Sequence, residues 1–436
     1  MSVKFKDTRS TIGKHMLADG MSPIIDLKKS HGSWLVDGNS GKEYLDLFSM
    51  YASMSVGYNH PYVLANIDRL SQAAINKTAN SDIYSPQMAD FVDTMGRVAQ
   101  PEYMPYAFYI EGGGLAVENA LKAAFDWKAR RNISNGKPVG ENLVIHLKDC
   151  FHGRTGYTMS LTDSPDPRKV MHFPKFNWPR ITNPLITFPL NERNLESVID
   201  LEKKSINEIK NLLYKSKDDV ACLILEPIQG EGGDNHFRQE YLIELKQLSL
   251  ENDFLLIFDE VQTGIGITGK MWAHEHFEIK PDLMSFGKKT QCCGIFGGLR
   301  LEEIEDNVFK ESSRINSTFG GNLVDMVRFT IYLELIEKEN LILKASENGA
   351  YLLSRLNSFQ NKYNDLISNV RGRGLFCAFD LPTAEKRDNL ITNMEKEGAI
   401  ILGCGHNSIR FRPHLNISKN EIDQAISMMK NAIINI

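Results

Sequence analysis

Short runs of consecutive apolar residues alternate along the chain with longer stretches whose apolar positions recur at helical spacing, a pattern that predicts strand-helix units around a largely parallel sheet. The runs LVIHL (143–147), VACLILE (220–226) and FLLIFD (254–259) hold no Pro or Gly and predict buried strands. Two of them end in acids, Glu226 and Asp259. Ligands on open α/β sheets gather beyond the carboxyl ends of the strands, so both acids stand where chemistry is expected. Near the start, 34–37 and 43–47 flank the turn-rich DGNSGK and predict a β-hairpin, and the spacing of Val63, Ile67, Leu70 and Ala74 predicts a helix after His60-Pro61. Beyond GGN (320–322) the pattern is helical for about 40 residues. It then gives RGRGLFCAFDL, a helix from about Ala384 and a strand around SIRFRP, which together predict a compact α+β unit. The expected division is a large domain over 61–325 and a smaller C-terminal domain over 326–436, with 1–60 packing against the smaller one. No internal repeat or low-complexity tract interrupts it.

Composition narrows the class without choosing within it. A chain of 436 residues with 42% hydrophobic and 24% charged content can build more than one core. The net charge of -5 and the scatter of basic residues leave no footprint for a nucleic-acid backbone. No run approaches the roughly 18 apolar residues of a membrane span, and the first residues lack the apolar core of a secretory signal, so a cytoplasmic protein is expected. The six cysteines form no CxxC pair and are read as reduced thiols, and no metal site is expected.

The chemistry concentrates between Phe258 and Gly294, where FDEVQTGIGITG is followed by PDLMSFGKKTQCCG. A lysine that forms a Schiff base needs partial desolvation to present a neutral amine, and a pyridoxal 5'-phosphate (PLP) ring needs a carboxylate on its pyridinium nitrogen. Lys288 and Asp259 suit those two roles. An acid followed much later by a lysine is, in isolation, more often a capping acid and a solvated amine.

The whole stretch, however, resembles the signature of the class III aminotransferases, the ornithine and 4-aminobutyrate type. One departure is Ile267, where much of that family has arginine. The resemblance implies an α/β protein of the aspartate aminotransferase-like fold type I: a large domain with a mostly parallel sheet, a smaller α+β domain and PLP as cofactor. EGGGLAVENALKAA (111–124) is similar to the family's phosphate loop, which places Gly113 and Gly114 at the phosphate without the hydroxyl the family usually has there. FHGRTGYT (151–158) is similar to the segment whose aromatic ring stacks on the cofactor, which nominates Phe151, with His152 beside it. EPIQGEGGDNHF (226–237) and NSTFGGN (316–322) extend the likeness. By resemblance Glu231 lies on the substrate side, Gln262 approaches the cofactor's phenolic oxygen, Asn316 belongs to the substrate site, and Thr318 reaches the phosphate of a neighbouring subunit. A homodimer with its active site at the subunit interface follows.

Within the class, GKKTQCCG, NSTFGGNLVDMVR and EGGGLAVENALKAAFDWK look most like the members that move the terminal amino group of L-lysine to 2-oxoglutarate. One pocket must then hold two molecules. Arg154 and Arg410 are the candidates for their carboxylates, since planar guanidinium groups bind carboxylates bidentately. Glu231 is expected to pair with Arg410 while lysine is bound and to leave it for 2-oxoglutarate. Arg412 is assigned a structural or surface role, and Lys288 rather than Lys289 carries the cofactor. Alternatives are another ω-aminotransferase, acting on 4-aminobutyrate, ornithine or a diamine; an aminomutase or racemase on the same fold; and a catalytically silent PLP-fold binding module.

Overall fold

In the computed structural model, which describes residues 3–434 and 436, the centre is a seven-stranded sheet. Its spatial order is Tyr106–Ile110, Cys293–Gly297, Leu283–Phe286, Leu255–Asp259, Val220–Leu225, Leu143–Leu147 and Arg180–Ile181. Every residue of Val220–Leu225 and Leu255–Asp259 is buried, as continuous apolar runs dictate when helices cover both faces. The pairings from Arg180–Ile181 through Leu283–Phe286 are parallel, and Cys293–Gly297 is antiparallel to both of its neighbours. Two antiparallel pairings in succession restore direction, so Tyr106–Ile110 runs the same way as the central strands. Its carboxyl end therefore opens on the same side of the sheet as theirs.

Four chain segments leave that edge together. After Tyr106–Ile110 comes the N-terminus of the helix Gly113–Ser134; after Leu143–Leu147 comes the 148–155 loop. After Val220–Leu225 comes Glu226, and after Leu283–Phe286 come Gly287 and Lys288. The backbone at 230–233 is pressed against the 148–155 loop: a Cβ on Gly232 would stand 1.8 Å from the Asp149 carbonyl oxygen, so only glycine fits.

The N-terminal hairpin, Trp34–Val36 with Glu43–Asp46, takes Ala399–Ile400 as a parallel third strand. Ser368–Arg373, Phe376–Asp380, Ser408–Phe411 and Leu402–Cys404 form a separate antiparallel sheet. Helices Leu323–Lys338 and Leu341–Lys362 supply the helical stretch beyond GGN, and Asn322 caps the first by accepting the Val324 N–H. One continuous core runs from Phe91, Trp272 and Phe286 to Phe376 and Phe411. All six cysteines are buried and free, and no helix among the described residues is long and apolar enough to cross a membrane.

One local structure has no signal in the residues that form it. Ser49, Met50, Tyr51 and Ala52 all have φ between 41 and 65 degrees, a left-handed turn made without glycine. One local and two distant contacts hold it: Asp46 accepts the Phe48 and Ser49 N–H groups, Ser49 Oγ donates to the Arg412 carbonyl, and Lys289 Nζ donates to the Ala52 carbonyl.

Candidate active site

Asp259 ends its strand almost fully buried, where a lone carboxylate is strongly disfavoured. His152 answers it from the neighbouring loop, with Nδ1 2.7 Å from Asp259 Oδ2, while Oδ1 accepts the Val261 N–H at 3.0 Å. Burial penalises the charged imidazole, yet the Cys150 sulfur and the Asp259 carboxylate beside it hold His152 well above the usual histidine range. The other ring nitrogen, Nε2, is buried without a partner.

Glu226 supports both loops that frame this couple, Oε1 accepting the Phe151 N–H and Oε2 the Gly230 N–H, each at 2.9 Å. Burial pushes its carboxyl up to about 7, with His152 opposing and Asp259 adding to the rise. Its place at a strand end was legible; its task of fixing Phe151 and the Glu231 loop was not.

Lys288 follows Gly287 directly, with φ at 54 degrees, an uncommon conformation for a long side chain and of the kind that gathers at functional sites. Burial, then the Arg410 and Arg412 charges, lower its amine to about 8, so a useful fraction is neutral near neutral pH. Lys289 is sealed away, 1% exposed, on the Ala52 carbonyl at 2.8 Å, and burial drives its pKa well below the ordinary lysine value. Only the first of the two lysines keeps access to the cleft.

Gly113 and Gly114 are the first two residues of their helix, where N–H groups lack intrahelical acceptors and favour an anion. A Cβ on Gly113 would stand 2.9 Å from Val261 Cγ1, and one on Gly114 3.2 Å from Thr155 Cγ2. The hydroxyls nearest Gly114 belong to Thr155 and Thr158, which bond each other at 2.9 Å. Phe151 is partly exposed, with the Arg154 guanidinium 5.9 Å from its ring centre.

Arg410 lies on the buried strand Ser408–Phe411, 5% exposed, its Nη2 3.0 Å from Glu231 Oε2. Its Nε and Nη1 are buried without partners, which is unusual for so costly a group. Glu231 is held on its other oxygen by Lys169, 2.7 Å from Nζ to Oε1. Burial works against the ionised Glu231, but Arg410 and Lys169 together lower its pKa below the ordinary value. Lys169 carries no motif and was missed; it comes from the 162–179 connection, where sequence patterns are silent.

Of the two roles expected for Arg412, structural or surface, the structural one holds. It is not at the surface: at 1% exposure it pairs with Asp234 through both terminal nitrogens, at 2.8 and 2.5 Å, and lies over the Phe376 ring. Positions 410 and 412 share a face under period-two alternation, so alternation offers no reason to send Arg412 outward. Its Nε and Nη2 also donate to Gln262 Oε1, at 3.1 and 3.0 Å, and so orient Gln262. Asn316 and Thr318 are exposed in the 311–320 loop, where Asn316 Oδ1 accepts the Ser317 N–H and the Thr318 carbonyl accepts from Ser81. Neither bonds to any member of the Asp259, His152 and Lys288 group within this chain.

Residues 16–433 match the family model described as Aminotransferase class-III. The chain belongs to the class III aminotransferases. It is 46% identical over 426 residues to an L-lysine-epsilon aminotransferase of Mycobacterium tuberculosis, covering 97% of this chain and 94% of that protein. A second L-lysine-epsilon aminotransferase, from Streptomyces clavuligerus, is 44% identical over 433 residues, covering 98% and 94%. The lysine aminotransferase from M. tuberculosis, solved in its internal aldimine form, superimposes with a TM-score of 0.97 at 45% identity, over 99% of this chain and 100% of that one.

Class III aminotransferases are PLP-dependent transaminases of fold type I, and the residues of this member fit the cofactor. An unpaired buried nitrogen on His152, glycines at a helix start where side chains would collide, and a lysine whose amine is lowered to about 8 are what a phosphorylated aromatic aldehyde requires. The expected fold class, α/β of fold type I with a mostly parallel sheet and a smaller α+β unit, is the one observed.

Proposed function

We propose that this transaminase moves the terminal amino group of L-lysine to 2-oxoglutarate, giving 2-aminoadipate 6-semialdehyde, which cyclises, and glutamate. The observation that carries the reading is the Arg410–Glu231 pair, 3.0 Å long, on a guanidinium whose remaining buried donors are unpaired. Lysine presenting its ε-amine brings no carboxylate to the reacting carbon, so Glu231 must neutralise Arg410. 2-Oxoglutarate brings its α-carboxylate there and replaces Glu231. A site for α-amino acids alone has no use for that acid. The two L-lysine-epsilon aminotransferases that cover nearly the whole chain support lysine as the donor.

PLP supplies an aldehyde that captures the substrate nitrogen and a ring that accepts the electron pair left when the proton departs. Lys288 would be the attachment point for that aldehyde and the base, its amine taking the proton from the ε-carbon of lysine. Asp259, bonded to His152, would hold the ring nitrogen. Phe151 would lie against the ring, Gln262 would meet its phenolic oxygen, and the Gly113 and Gly114 N–H groups would hold the phosphate. Arg154 binds the carboxylate distant from the reacting carbon, and Arg410 the near one. Each such charge-assisted contact contributes about 1.5 to 3 kcal/mol, enough to fix orientation. The two halves run in turn through one site, so the kinetics are ping-pong.

The same reading makes the enzyme a homodimer, with Asn316 and Thr318 serving the partner's site. Ile83, Tyr84, Leu115 and Phe319 expose apolar surface near Thr318 and the helix start, which supports self-association. Residues 61–325 then form the large domain, and 326–436 with the N-terminal 1–60 the small one. Free buried thiols favour a reducing, cytoplasmic setting.

The test is an amine panel with 2-oxoglutarate. L-Lysine gives glutamate and a cyclic imine in equal amounts, and 4-aminobutyrate, ornithine and diamines give far less. Preferred turnover of any of those three would replace lysine as the donor, and turnover of lysine without a keto acid would mark a mutase or racemase.

A further inference from the structure

The ion pair on the far side of Glu231 assigns a specificity role to a residue outside the family motifs. Glu231 is clamped by two cations, one oxygen on Arg410 and the other on Lys169 Nζ at 2.7 Å. Its backbone cannot follow a substrate. The Glu231 carbonyl accepts the Gly405 N–H at 2.8 Å, and the next residue, Gly232, packs so closely on the Asp149 carbonyl oxygen that a Cβ there would stand 1.8 Å from it. Release of Arg410 must therefore be a rotation of the Glu231 side chain alone.

Room for that rotation exists on the Lys169 side. Lys169, Glu231, Arg387, Asp388, Cys404 and Gly405 line a cavity of about 290 Å³, far larger than the roughly 30 Å³ share of one water. Two acids besides Glu231 share this wall, Asp166 and Asp388, but Asp166 is paired with Arg168 and Asp388 with Arg387. Lys169 has no carboxylate bound to it other than Glu231 among the described residues.

Glu231 is partly buried, and taking away both of its cations would leave its charge uncompensated where water only partly reaches it, which is unfavourable. We propose that Lys169 and this cavity are the receiving site for Glu231: when a keto acid claims Arg410, Glu231 turns into the cavity and keeps its Lys169 partner. Glu231 thus exchanges half of its clamp rather than all of it. Lys169 is a positioning residue that acts through Glu231 and lowers the barrier to the keto-acid half of the cycle. This rests on the two-substrate reading of Glu231 given above.

The test is a double-mutant cycle on the holoenzyme, reading the two half-reactions separately and, independently of turnover, the calorimetric affinity for glutarate, an unreactive dicarboxylate. K169M lowers kcat/KM for 2-oxoglutarate roughly tenfold more than for lysine and weakens glutarate binding to a similar extent. K169R restores both, and K169Q repeats the loss should K169M fold poorly. In an E231A background, K169M changes neither ratio nor affinity. Equal losses with and without Glu231 would reduce Lys169 to a general attraction for anions and overturn the proposal. So would a K169M enzyme with an unchanged ratio where E231A alone shifts it, and the two-substrate reading would survive. If E231A leaves both half-reactions unchanged, that reading fails first and the proposal with it.

Discussion

His152 Nδ1 stands 2.7 Å from Asp259 Oδ2, and both side chains are closed off from solvent. An ionised carboxylate in such a place persists only with a partner, and His152 provides one while leaving Oδ1 to the Val261 N–H. Asp259→Asn removes the charge but nearly preserves the shape. Losing one member of a buried charge pair costs about 2 to 5 kcal/mol, so kcat/KM for lysine falls about 30-fold to several thousandfold. Stopped-flow measurement of the lysine half-reaction checks this, and a loss under threefold would remove Asp259 from the chemistry.

The paired lysines separate cleanly by environment. Borohydride reduction of the holoenzyme, followed by peptide mapping, places the pyridoxyl group on Lys288. Lys288→Ala carries no label, and Lys289→Ala keeps it. Lys289→Ala instead removes the bond to the Ala52 carbonyl that holds the left-handed turn, lowering stability by about 1 to 3 kcal/mol in urea unfolding.

Cofactor uptake has a pH dependence set by Lys288. Its amine is lowered to about 8, chiefly by burial, from the ordinary lysine value of 10.5, and only the neutral form attacks an aldehyde. The rate of PLP incorporation into apoprotein therefore rises nearly tenfold per pH unit below about 8 and levels off above it. The linkage has the same sign: between about 8 and 10.5 the unfolded chain binds more protons at this site, so the apoprotein gains stability from it as pH rises. An uptake rate still climbing tenfold per unit at pH 10 would show that Lys288 is not desolvated.

Most of what positions the site could be read in advance, for a physical reason. LVIHL became the strand Leu143–Leu147 and FLLIFD the strand Leu255–Asp259, because a run apolar on both faces is stable only between two covering layers. Acids at the ends of such strands then have few places to go. The left-handed turn at 49–52 was invisible, since no glycine marks it and, beside the local Asp46 carboxylate, the bonds that hold it come from Lys289 and Arg412, hundreds of residues away. Lys169 was missed for the same cause: its importance is a distance to Glu231, and its own neighbours in the chain show no period. Arg412 was left between a structural and a surface role, because only the tertiary partners that bury it, Asp234 and Phe376, decide for the structural one.

Glu231→Ala separates the two substrates. Without the acid, lysine meets an unneutralised Arg410, and kcat/KM for lysine falls about tenfold to a hundredfold. The keto-acid half is not slowed, because nothing then competes for the guanidinium. Parallel losses for both substrates, or none, would contradict the exchange at Arg410.

The central claim is that nitrogen leaves the far end of lysine and arrives on 2-oxoglutarate. L-Lysine labelled with nitrogen-15 at either the ε or the α position, incubated with the holoenzyme and 2-oxoglutarate, tests it by mass spectrometry of the glutamate formed. Label in glutamate from ε-labelled lysine, with none from α-labelled lysine, is the predicted result. Glutamate labelled from the α position, or left unlabelled by both, would contradict it.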